Sequence, residues 1–330
     1  MKLTVVIPVK DRARLLGCTL DSLLRAARYA SAEAPAHTVV SEGPHYSVVV
    51  VDNGSSDNSL EVARSHPVVT LALQSAASTV AAVRNEGAAT AADADAIVFL
   101  DCDCEVPPNF LTSVVDAFER SGAAAVGCEV RSREDGHWTE RTWDRLHRPN
   151  GDGPRHYINS ACFCIRREWF ERIRGFDSAL GSSEDVDISR RLIQSGGTLW
   201  QSESLAVLHL GNPQSLVGLY RRICWHGSGV WPPGKSFQWS LTSIATLMFG
   251  ISSLTGFSLA ALLFAHGEFG QGLASTCVGI LLVPVLFVAA RAWQFRRPVP
   301  VVSGVALMML TFTARLEGLA SGRWARTEKR

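Results

Sequence analysis

Two long apolar stretches near the end of the sequence limit what this chain can fold into. Residues 239–265 and 272–290 contain no Asp, Glu, Lys or Arg. Each is long enough to cross a hydrocarbon layer of about 30 Å as a helix. Because lipid offers the backbone no hydrogen-bond partner, a segment of this length crosses as a helix. The pair predicts a membrane region over residues 236–330. The residues before it contain only short apolar runs and form a separate region.

A third apolar run, residues 299–314, is only marginally long enough to cross. We expect it to be re-entrant or interfacial, so that the basic tail behind it meets the anionic inner leaflet. Basic residues flank the two longer stretches, and the positive-inside rule then places the residues before 236 and the loop 291–298 in the cytoplasm. The basic residues in question are Arg221, Arg222, Arg291, Arg296 and Arg297, with Arg323, Arg326, Lys329 and Arg330 in the tail.

The composition argues against several classes of protein. With 32 basic and 31 acidic residues, the net charge of +1 gives no electrostatic footprint for nucleic acid. The first apolar run, Leu3 to Val9, meets charge at Lys10 and is too short for a secretory signal. The eight cysteines show neither a C-x-x-C pair nor zinc-ligand spacing. We expect them to be small buried thiols in a reducing compartment.

Short apolar runs alternate with helical patterns over the first part of the chain. The predicted strands are residues 5–7, 48–51, 68–73 and 97–100, and the predicted helices are residues 14–30, 57–65, 78–92 and 107–120. This order favours a mostly parallel sheet with helices on both faces, in one domain over residues 1–235. Ligands bind at the carboxyl ends of such strands, where Pro8, Asp52 and Asp101 follow their strands.

The fourth of these strands ends in an Asp-x-Asp pair. Asp101 and Asp103 are two residues apart, so on a continuing strand their side chains point the same way. Two neighbouring carboxylates repel each other unless a cation lies between them, and Mg²⁺ or Mn²⁺ bridging to a phosphate is the usual solution. The pair indicates metal-assisted chemistry on a phosphorylated substrate.

Four further positions could carry chemistry, each with an ordinary structural alternative. Asp52 begins a polar turn that could bind a base or ribose, or simply cap a helix. Arg84 could reach a pyrophosphate or lie on a solvated helix face. Glu184 and Asp185 could supply a general base or only complement a helix dipole. His209 could bind metal or be a buried core histidine.

Together these segments resemble the family-2 glycosyltransferases with a GT-A fold. The resemblance covers roughly residues 3–230 and includes membrane-anchored members. It is carried by the order of Ile7-Pro8-Val9, Val51-Asp52-Asn53-Gly54-Ser55-Ser56-Asp57, Arg84-Asn85-Glu86-Gly87, Phe99-Leu100-Asp101-Cys102-Asp103, Gly175-Phe176-Asp177 and Glu184-Asp185-Val186-Asp187.

The resemblance implies a role for each position. Pro8 and Val9 would line the nucleotide pocket, Asp52 would bind the base, usually uracil, and Arg84 would contact the nucleotide. Asp101 would lie near the ribose, whereas Asp103 would hold Mg²⁺ or Mn²⁺ on the diphosphate with help from His209. Asp185 would be the catalytic base beside Glu184.

The usual Tyr-Asn after the first proline is Lys10-Asp11 here, and a Gln-x-x-Arg-Trp segment is missing. The second departure favours transfer of a single sugar over polymer synthesis. The implied activity is inverting transfer from a nucleotide-diphosphate sugar, a UDP-sugar, to a hydroxyl or phosphate of a lipid-linked or membrane-proximal acceptor.

Three other functions fit parts of the pattern. A haloacid-dehalogenase-type phosphohydrolase also ends a strand in Asp-x-Asp and would use Asp101 as its nucleophile with Asp103 beside it. A nucleotidyltransferase would release pyrophosphate. A non-catalytic membrane protein would bind the nucleotide without turnover.

Overall fold

The computed structural model describes residues 1–33, 46–148, 151–228, 230, 239–296 and 298–321. Arg297 and the basic tail residues Arg323, Arg326, Lys329 and Arg330 lie outside the described residues. The strands in the described part are β1 Leu3–Val9, β2 Tyr46–Asp52, β3 Leu71–Gln74, β4 Ala96–Leu100, β5 Cys104–Glu105, β6 Ala125–Arg131, β7 Gly153–Arg155, β8 Cys162–Arg166 and β9 Leu199–His209.

The helices divide into those among the strands and those that follow them. The first group is α1 Ala13–Glu33, α2 Ser59–Ser65, α3 Val80–Ala89, α4 Phe110–Ser121, α5 Trp138–His147, α6 Arg167–Arg172 and α7 Glu184–Gln194. The second group is α8 Leu216–Ser228, α9 Leu241–Ala265, α10 Phe269–Phe295 and α11 Val301–Ser321.

The described strands form one sheet in the order β3-β2-β1-β4-β8-β6-β9-β5, with β7 paired to β9. Strands β3, β2, β1 and β4 run parallel, and the antiparallel β8 joins β4 to β6. The prediction of a mostly parallel sheet with helices is confirmed. The four predicted strands are present, and the third begins at Leu71 rather than at residue 68.

The chain separates into two compact units. One contains residues 1–132 and 150–211, and the other contains residues 133–149 and 212–330. The sheet lies wholly in the first unit, where apolar side chains of β1, β2 and β4 are buried on both faces between helices, as parallel strands require. The predicted boundary at residue 235 stays a prediction.

Gly87 on α3 shows how closely one helix approaches this sheet. A Cβ atom at Gly87 would lie 2.4 Å from Val6 Cγ1 and 3.0 Å from Val51 Cγ2, too close for any side chain. The glycine therefore allows α3 to pack directly on β1 and β2. Arg84 and Asn85 on the same helix are placed at the edge of the sheet by this contact.

One cysteine pair differs from the sequence-based prediction. Cys128 on β6 and Cys162 on β8 form a disulfide, with their Cα atoms 5.6 Å apart. The expectation that all the cysteines are free thiols is wrong at this pair. The two residues are 34 positions apart, and only the antiparallel pairing of β6 with β8 brings them within bonding distance.

In the second unit, three helices are long and apolar enough to cross a membrane: Leu241–Ala265, Phe269–Phe295 and Val301–Ala320. The first two correspond to the predicted stretches, and α9 packs on α10 with Gly256 against Gly279. The third is longer than the predicted run of residues 299–314. Its length permits a crossing, and the expectation that it is interfacial stays a prediction.

Candidate functional site

Arg84 is the centre of a buried network of charged groups in the first unit. Its side chain is 2% exposed and donates hydrogen bonds of 2.7 Å to Asp101 Oδ1 and to Glu184 Oε1. It therefore joins the end of β4 to the start of α7, across 17 and 100 residues of sequence respectively. The two carboxylates raise the pKa of the Arg84 guanidinium, although burial acts against them. The guanidinium therefore stays charged at any pH at which the fold survives.

The polar residues around Arg84 fix the loop that faces it. Asn85 donates to the Phe176 carbonyl at 2.8 Å and accepts from the Phe176 amide at 2.9 Å, as a second strand would. Gly175 has a φ of +67°, and a Cβ atom there would lie 2.7 Å from Asn85 Oδ1. The Phe176 ring in turn lies 5.7 Å from the Arg84 guanidinium. The motif residues on α3 and before α7 thus hold one another in place.

Asp185 lies in the first turn of α7, next to Glu184. Its Oδ2 accepts hydrogen bonds from the Tyr157 hydroxyl at 2.7 Å and from the Ser160 amide at 3.3 Å. The pKa of Asp185 is raised to about 6, first by burial and second by the charge of Glu184. A carboxylate with a pKa near 6 is both charged and appreciably basic at neutral pH, which suits it to accept a proton.

Two other carboxylates in the first turn of α7, Glu184 and Asp187, are held in hydrogen bonds and ion pairs within the protein. Glu184 is bound by Arg84 and by the Ser160 hydroxyl at 3.2 Å. Asp187 is bound by Arg190 at 2.8 Å and by Arg191 at 2.7 Å. Of the three, Asp185 is the carboxylate whose described contacts include no basic residue.

Asp103 lies on the other side of Asp101 and faces His209. The distance from His209 Nε2 to Asp103 Oδ1 is 3.4 Å, since β5 pairs antiparallel with the end of β9. The ligand atoms of Asp103, Cys104 and His209 lie within 4.8 Å of one another. A carboxylate oxygen and an imidazole nitrogen at this spacing fit a divalent cation, so the residues present suit the metal that the Asp-x-Asp pair implies.

Gly211 closes the space beside Asp103. A Cβ atom at Gly211 would lie 1.8 Å from Asp103 Oδ2, so any side chain there displaces the carboxylate. We expect Gly211→Ala to weaken Mn²⁺ binding roughly 10–100-fold, as disturbing the support of a metal ligand does. Titration of Mn²⁺ followed by electron paramagnetic resonance measures this.

The matched control for Gly211→Ala is Gly17→Ala on α1, where a Cβ atom meets nothing within 4 Å. It should leave Mn²⁺ affinity unchanged. Unchanged affinity in Gly211→Ala would show that Asp103 is not a ligand.

Asp52 lies at the end of β2, where β1 contributes Pro8 and Val9. The Asp52 side chain is 1% exposed, and its Oδ2 accepts from the Ser55 amide at 3.1 Å. Its Oδ1 is buried with no hydrogen-bond partner in the part of the chain that the structure describes. Beside it is a cleft of about 470 Å³, whose lining includes Ser55, Asn58 and Gln74. A buried carboxylate oxygen without a donor is suited to receive an N–H group from a ligand.

Pro8 and Val9 are buried strand residues, paired in register with Val51 and Asp52. They support the position of Asp52, and their own side chains have no polar group to offer. The predicted site residues therefore form three adjoining groups. Asp101, Arg84, Glu184 and Asp185 are one network, Asp103 and His209 are the second, and Asp52 with Pro8 and Val9 is the third.

Sequence reasoning missed Tyr157, Ser160 and Gly211. Tyr157 and Ser160 lie in the segment before β8, which carries no recognisable pattern, and they reach Asp185 only through folding. Gly211 follows His209 by two residues, but its role depends on Asp103, which is more than a hundred positions earlier.

This sheet order, with Asp-x-Asp after β4 and an acidic helix start linked to it, defines an α/β fold of the GT-A type. Comparison with known proteins agrees. The family model described as Glycosyl transferase family 2 matches residues 4–174. The chain belongs to this family, and the resemblance seen in the sequence is confirmed.

Individual relatives are more distant. The pre-mycofactocin glycosyltransferase of Mycobacterium tuberculosis is 27% identical over 277 residues, which covers 76% of this chain and 54% of the relative. The O-antigen biosynthesis protein RfbC of Myxococcus xanthus is 29% identical over 230 residues, covering 59% of this chain and 16% of the relative. The chain thus spans about half, or less, of the length of these curated relatives.

Among solved structures, the mannosyltransferase PcManGT from Pyrobaculum calidifontis, in complex with GDP-Man and Mn²⁺, aligns with a TM-score of 0.56. The identity is 15%, and the alignment covers 98% of this chain and 88% of that one. At this identity the likeness shows the fold.

Proposed function

We propose that this protein is an inverting glycosyltransferase. It moves a sugar from a nucleotide-diphosphate sugar, a UDP-sugar by its family resemblance, to a hydroxyl or phosphate of a lipid-linked or membrane-proximal acceptor. The observation that carries the proposal is Asp185, with a pKa of about 6 and held by Tyr157 and Ser160 beside the Arg84 bridge to Asp101. Membership of the family and the apolar helices support it.

Asp185 is the general base of the proposed reaction. It accepts the proton of the acceptor hydroxyl while the acceptor oxygen attacks the anomeric carbon, and the bond from that carbon to the diphosphate breaks on the opposite side. One such displacement inverts the anomeric configuration. Tyr157 donates its hydroxyl to the carboxylate of Asp185 and keeps the carboxylate oriented.

The remaining residues bind the donor. Asp52 Oδ1 accepts a hydrogen bond from an N–H group of the base, which both uracil and guanine offer. Asp101 binds the ribose, and Arg84 holds the Asp101 carboxylate in place. Asp103 and His209 hold a divalent metal, which when bound offsets the negative charge of the leaving diphosphate. The imidazole favours Mn²⁺ over Mg²⁺, because Mg²⁺ is bound through oxygens and water.

The domain over residues 1–235 is proposed to lie in the cytoplasm. Arg221 and Arg222 precede the first apolar helix, and Arg291 and Arg296 lie at the carboxyl end of the second, so the positive-inside rule favours the cytoplasmic side for both ends. Nucleotide sugars would then be available to the site.

The full chain in detergent tests the proposal through the product it releases. The assay offers UDP- and GDP-sugars with Mn²⁺ or Mg²⁺, with and without membrane lipid extract. Lipid-dependent release of UDP is expected. Phosphate release from simple monoesters would instead establish the phosphohydrolase, pyrophosphate release the nucleotidyltransferase, and nucleotide binding without any release the non-catalytic protein.

The structure favours transfer over the phosphohydrolase alternative on one point. Arg84 holds Asp101 Oδ1 at 2.7 Å inside the network, and this ion pair lowers the nucleophilicity of the carboxylate that the phosphohydrolase would use.

Replacing Asp103 should affect metal-dependent donor binding and leave the catalytic base Asp185 intact. We expect Asp103→Ala to weaken Mn²⁺-dependent donor binding by about tenfold or more, since a charged ligand of the metal is lost. Calorimetric titration of the donor, with and without Mn²⁺, measures it. Asp116→Ala removes an exposed carboxylate on α4 and is the control. Donor binding that is equally metal-dependent in Asp103→Ala would remove Asp103 from the site.

The pH profile should report Asp185. A general base works when deprotonated, so with a pKa of about 6 the value of kcat/KM should be constant above pH 7. It should fall about tenfold per pH unit below pH 6. Initial rates between pH 4.5 and 8.5, with stability checked at each pH, test this. Full activity at pH 5 would exclude Asp185 as the base.

A further inference from the structure

Helix α11 crosses one end of the α9–α10 hairpin instead of running alongside it. In the hairpin, Gly256 packs on Gly279 and Gly272 on Phe264, which sets residues 243–250 level with residues 285–292. Every described contact of α11 with the hairpin falls at this level: Gly304 with Val288, Phe312 with Phe249 and Phe287, Arg315 with Ser243, and Leu316 with Gly250.

If α11 ran antiparallel alongside α10, successive turns of α11 would contact successive turns of α10. From Gly304 to Phe312 the chain advances eight residues, about 12 Å along a helix. The partners on α10 are Val288 and Phe287, which are neighbours in sequence. The two axes are therefore steeply crossed, and α11 stays at one end of the hairpin.

The closest partner of α11 is α8, which is not a membrane span. The pairs Gly227 with Arg315 and Gly318 with Cys224 bring the two backbones together in antiparallel order. Because α8 has 13 residues and carries Arg221, Arg222 and His226, it belongs at a membrane surface. A helix packed along α8 is expected to lie at that surface too, in line with the sequence-based prediction for this segment.

Two arginines lie on the helices that form this crossing. Arg291 is near the end of α10 and Arg315 near the end of α11, and neither forms an ion pair with a carboxylate within the described residues. Helix α5, which carries His147, packs on both α10 and α11. The pKa of His147 is lowered to about 4, first by burial and then by the charges of Arg291 and Arg315, against the effect of its bond to the Trp143 carbonyl.

The same three residues each carry a buried nitrogen without a hydrogen-bond partner in the described part of the chain. These atoms are Nε of Arg291, Nε of Arg315 and Nε2 of His147. A buried cation without an acidic partner is costly, so such a group favours the binding of an anion. The planar guanidinium is matched to phosphate oxygens, which supply the missing negative charge.

We propose that Arg291 and Arg315, beside His147, bind the phosphate of a membrane lipid where α11 crosses the end of the α9–α10 hairpin. Two lipids offer this chemistry, a lipid monophosphate that serves as acceptor and an anionic phospholipid of the bilayer. The assignment deepens the proposed function by naming the acceptor as a lipid phosphate, but the binding itself needs no glycosyl transfer.

The test measures binding of a long-chain polyprenyl monophosphate to the full chain in detergent by native mass spectrometry, without donor. Arg291→Gln and Arg315→Gln should each weaken binding roughly tenfold or more, as loss of a charge-assisted hydrogen bond does. Arg315→Lys, which keeps the charge, should retain part of the affinity, and the unfolding midpoint confirms that each variant is folded.

Arg296→Gln is the matched control. It removes an exposed arginine one turn beyond Arg291, at the same end of α10. Binding equal to wild type in Arg296→Gln supports a defined site. An equal loss in all three variants, or no loss in Arg291→Gln and Arg315→Gln, overturns the proposal in favour of general charge attraction.

Two competitors identify the lipid. Uncharged polyprenol should not displace the monophosphate, and displacement by it would overturn the phosphate assignment. Phosphatidylglycerol should fail to displace it if the site takes the acceptor, whereas equal displacement assigns the site to bilayer phospholipid and overturns its role as acceptor site. Asp185→Asn should still bind the monophosphate, because binding does not need the catalytic base. Wild-type protein that binds the monophosphate but transfers no sugar to any acceptor would refute the proposed function and leave the binding site standing.

Discussion

Asp185→Asn should reduce kcat for sugar transfer by about 10²–10⁴-fold while leaving the affinity for the donor close to that of wild type. The amide keeps the size of the carboxylate and one acceptor for the Tyr157 hydroxyl, but it cannot take a proton. Since the loss falls on the chemical step, kcat should fall and KM for the donor should change little. Single-turnover transfer and calorimetric donor titration give the two quantities separately.

Although Asp185→Asn should lose activity, its stability at pH 8 should equal or exceed that of wild type. The folded protein raises the pKa of Asp185 to about 6, so ionising this group costs the folded state free energy relative to the unfolded chain, and above pH 6 the full cost applies. This cost is absent below the unfolded pKa near 4 and grows between the two values. The asparagine variant should therefore unfold at the same temperature as wild type, or higher, at pH 8.

Asp187→Asn on the same helix is the matched control. Asp187 is buried and bound by Arg190 and Arg191, so this variant should lose stability and keep most of its kcat. A variant of Asp185 that loses donor binding and turnover equally, or an Asp187 variant with the greater loss of turnover, would contradict the assignment.

Arg84→Met should destabilise the protein by about 3–5 kcal/mol, because it leaves the carboxylates of Asp101 and Glu184 facing each other without their cation. The methionine fills most of the volume, so the loss is mainly electrostatic. In a unit of this size, the midpoint of thermal unfolding should fall on the order of 10 °C. Intrinsic fluorescence of the full chain in detergent follows it.

A second substitution tests the cause. Arg84→Met combined with Glu184→Gln removes one of the two unpaired carboxylate charges of the broken network and should recover part of the lost stability, giving a favourable coupling energy. Stability of Arg84→Met should also rise as the pH falls, since the two carboxylates become protonated. Arg172→Met, an exposed arginine over Trp169, is the control for loss of an arginine. Additive effects in the double variant would show that Arg84 acts through packing alone.

Much of the sheet could be predicted from the sequence, because each strand and helix is recognisable from the pattern of its own few residues. Each of the four parallel strands is a short apolar run, and each helix between them has its own apolar stripe. Parallel strands end at one edge, so placing Asp52 and Asp101 near the same ligand needed only the strand assignments. The antiparallel β8 was not predicted, since its pairing with β4 and β6 joins segments that are far apart in the sequence.

The candidate site was predictable in its residue types but not in its contacts. Arg84 was expected to contact the nucleotide, and its two terminal nitrogens instead hold Asp101 and Glu184, so a contact with phosphate would require one of these bonds to exchange. Tyr157 escaped notice because a tyrosine in an irregular segment has no pattern. The disulfide between Cys128 and Cys162 was not predicted, because the spacing of cysteines in the sequence does not reveal which strands are neighbours.

The sequence by itself determined the order of strands and helices, the acidic strand end and the apolar helices, because hydrophobic periodicity and turn residues act over short distances. Only the tertiary structure decided which charges meet. Burial then set their properties, as when it raised the pKa of Asp185 towards neutrality. Packing likewise placed Arg291 and Arg315 beside α5 with no carboxylate partner among the described residues. The free energy of a buried charge depends on its neighbours in space, and those are fixed by packing between distant segments.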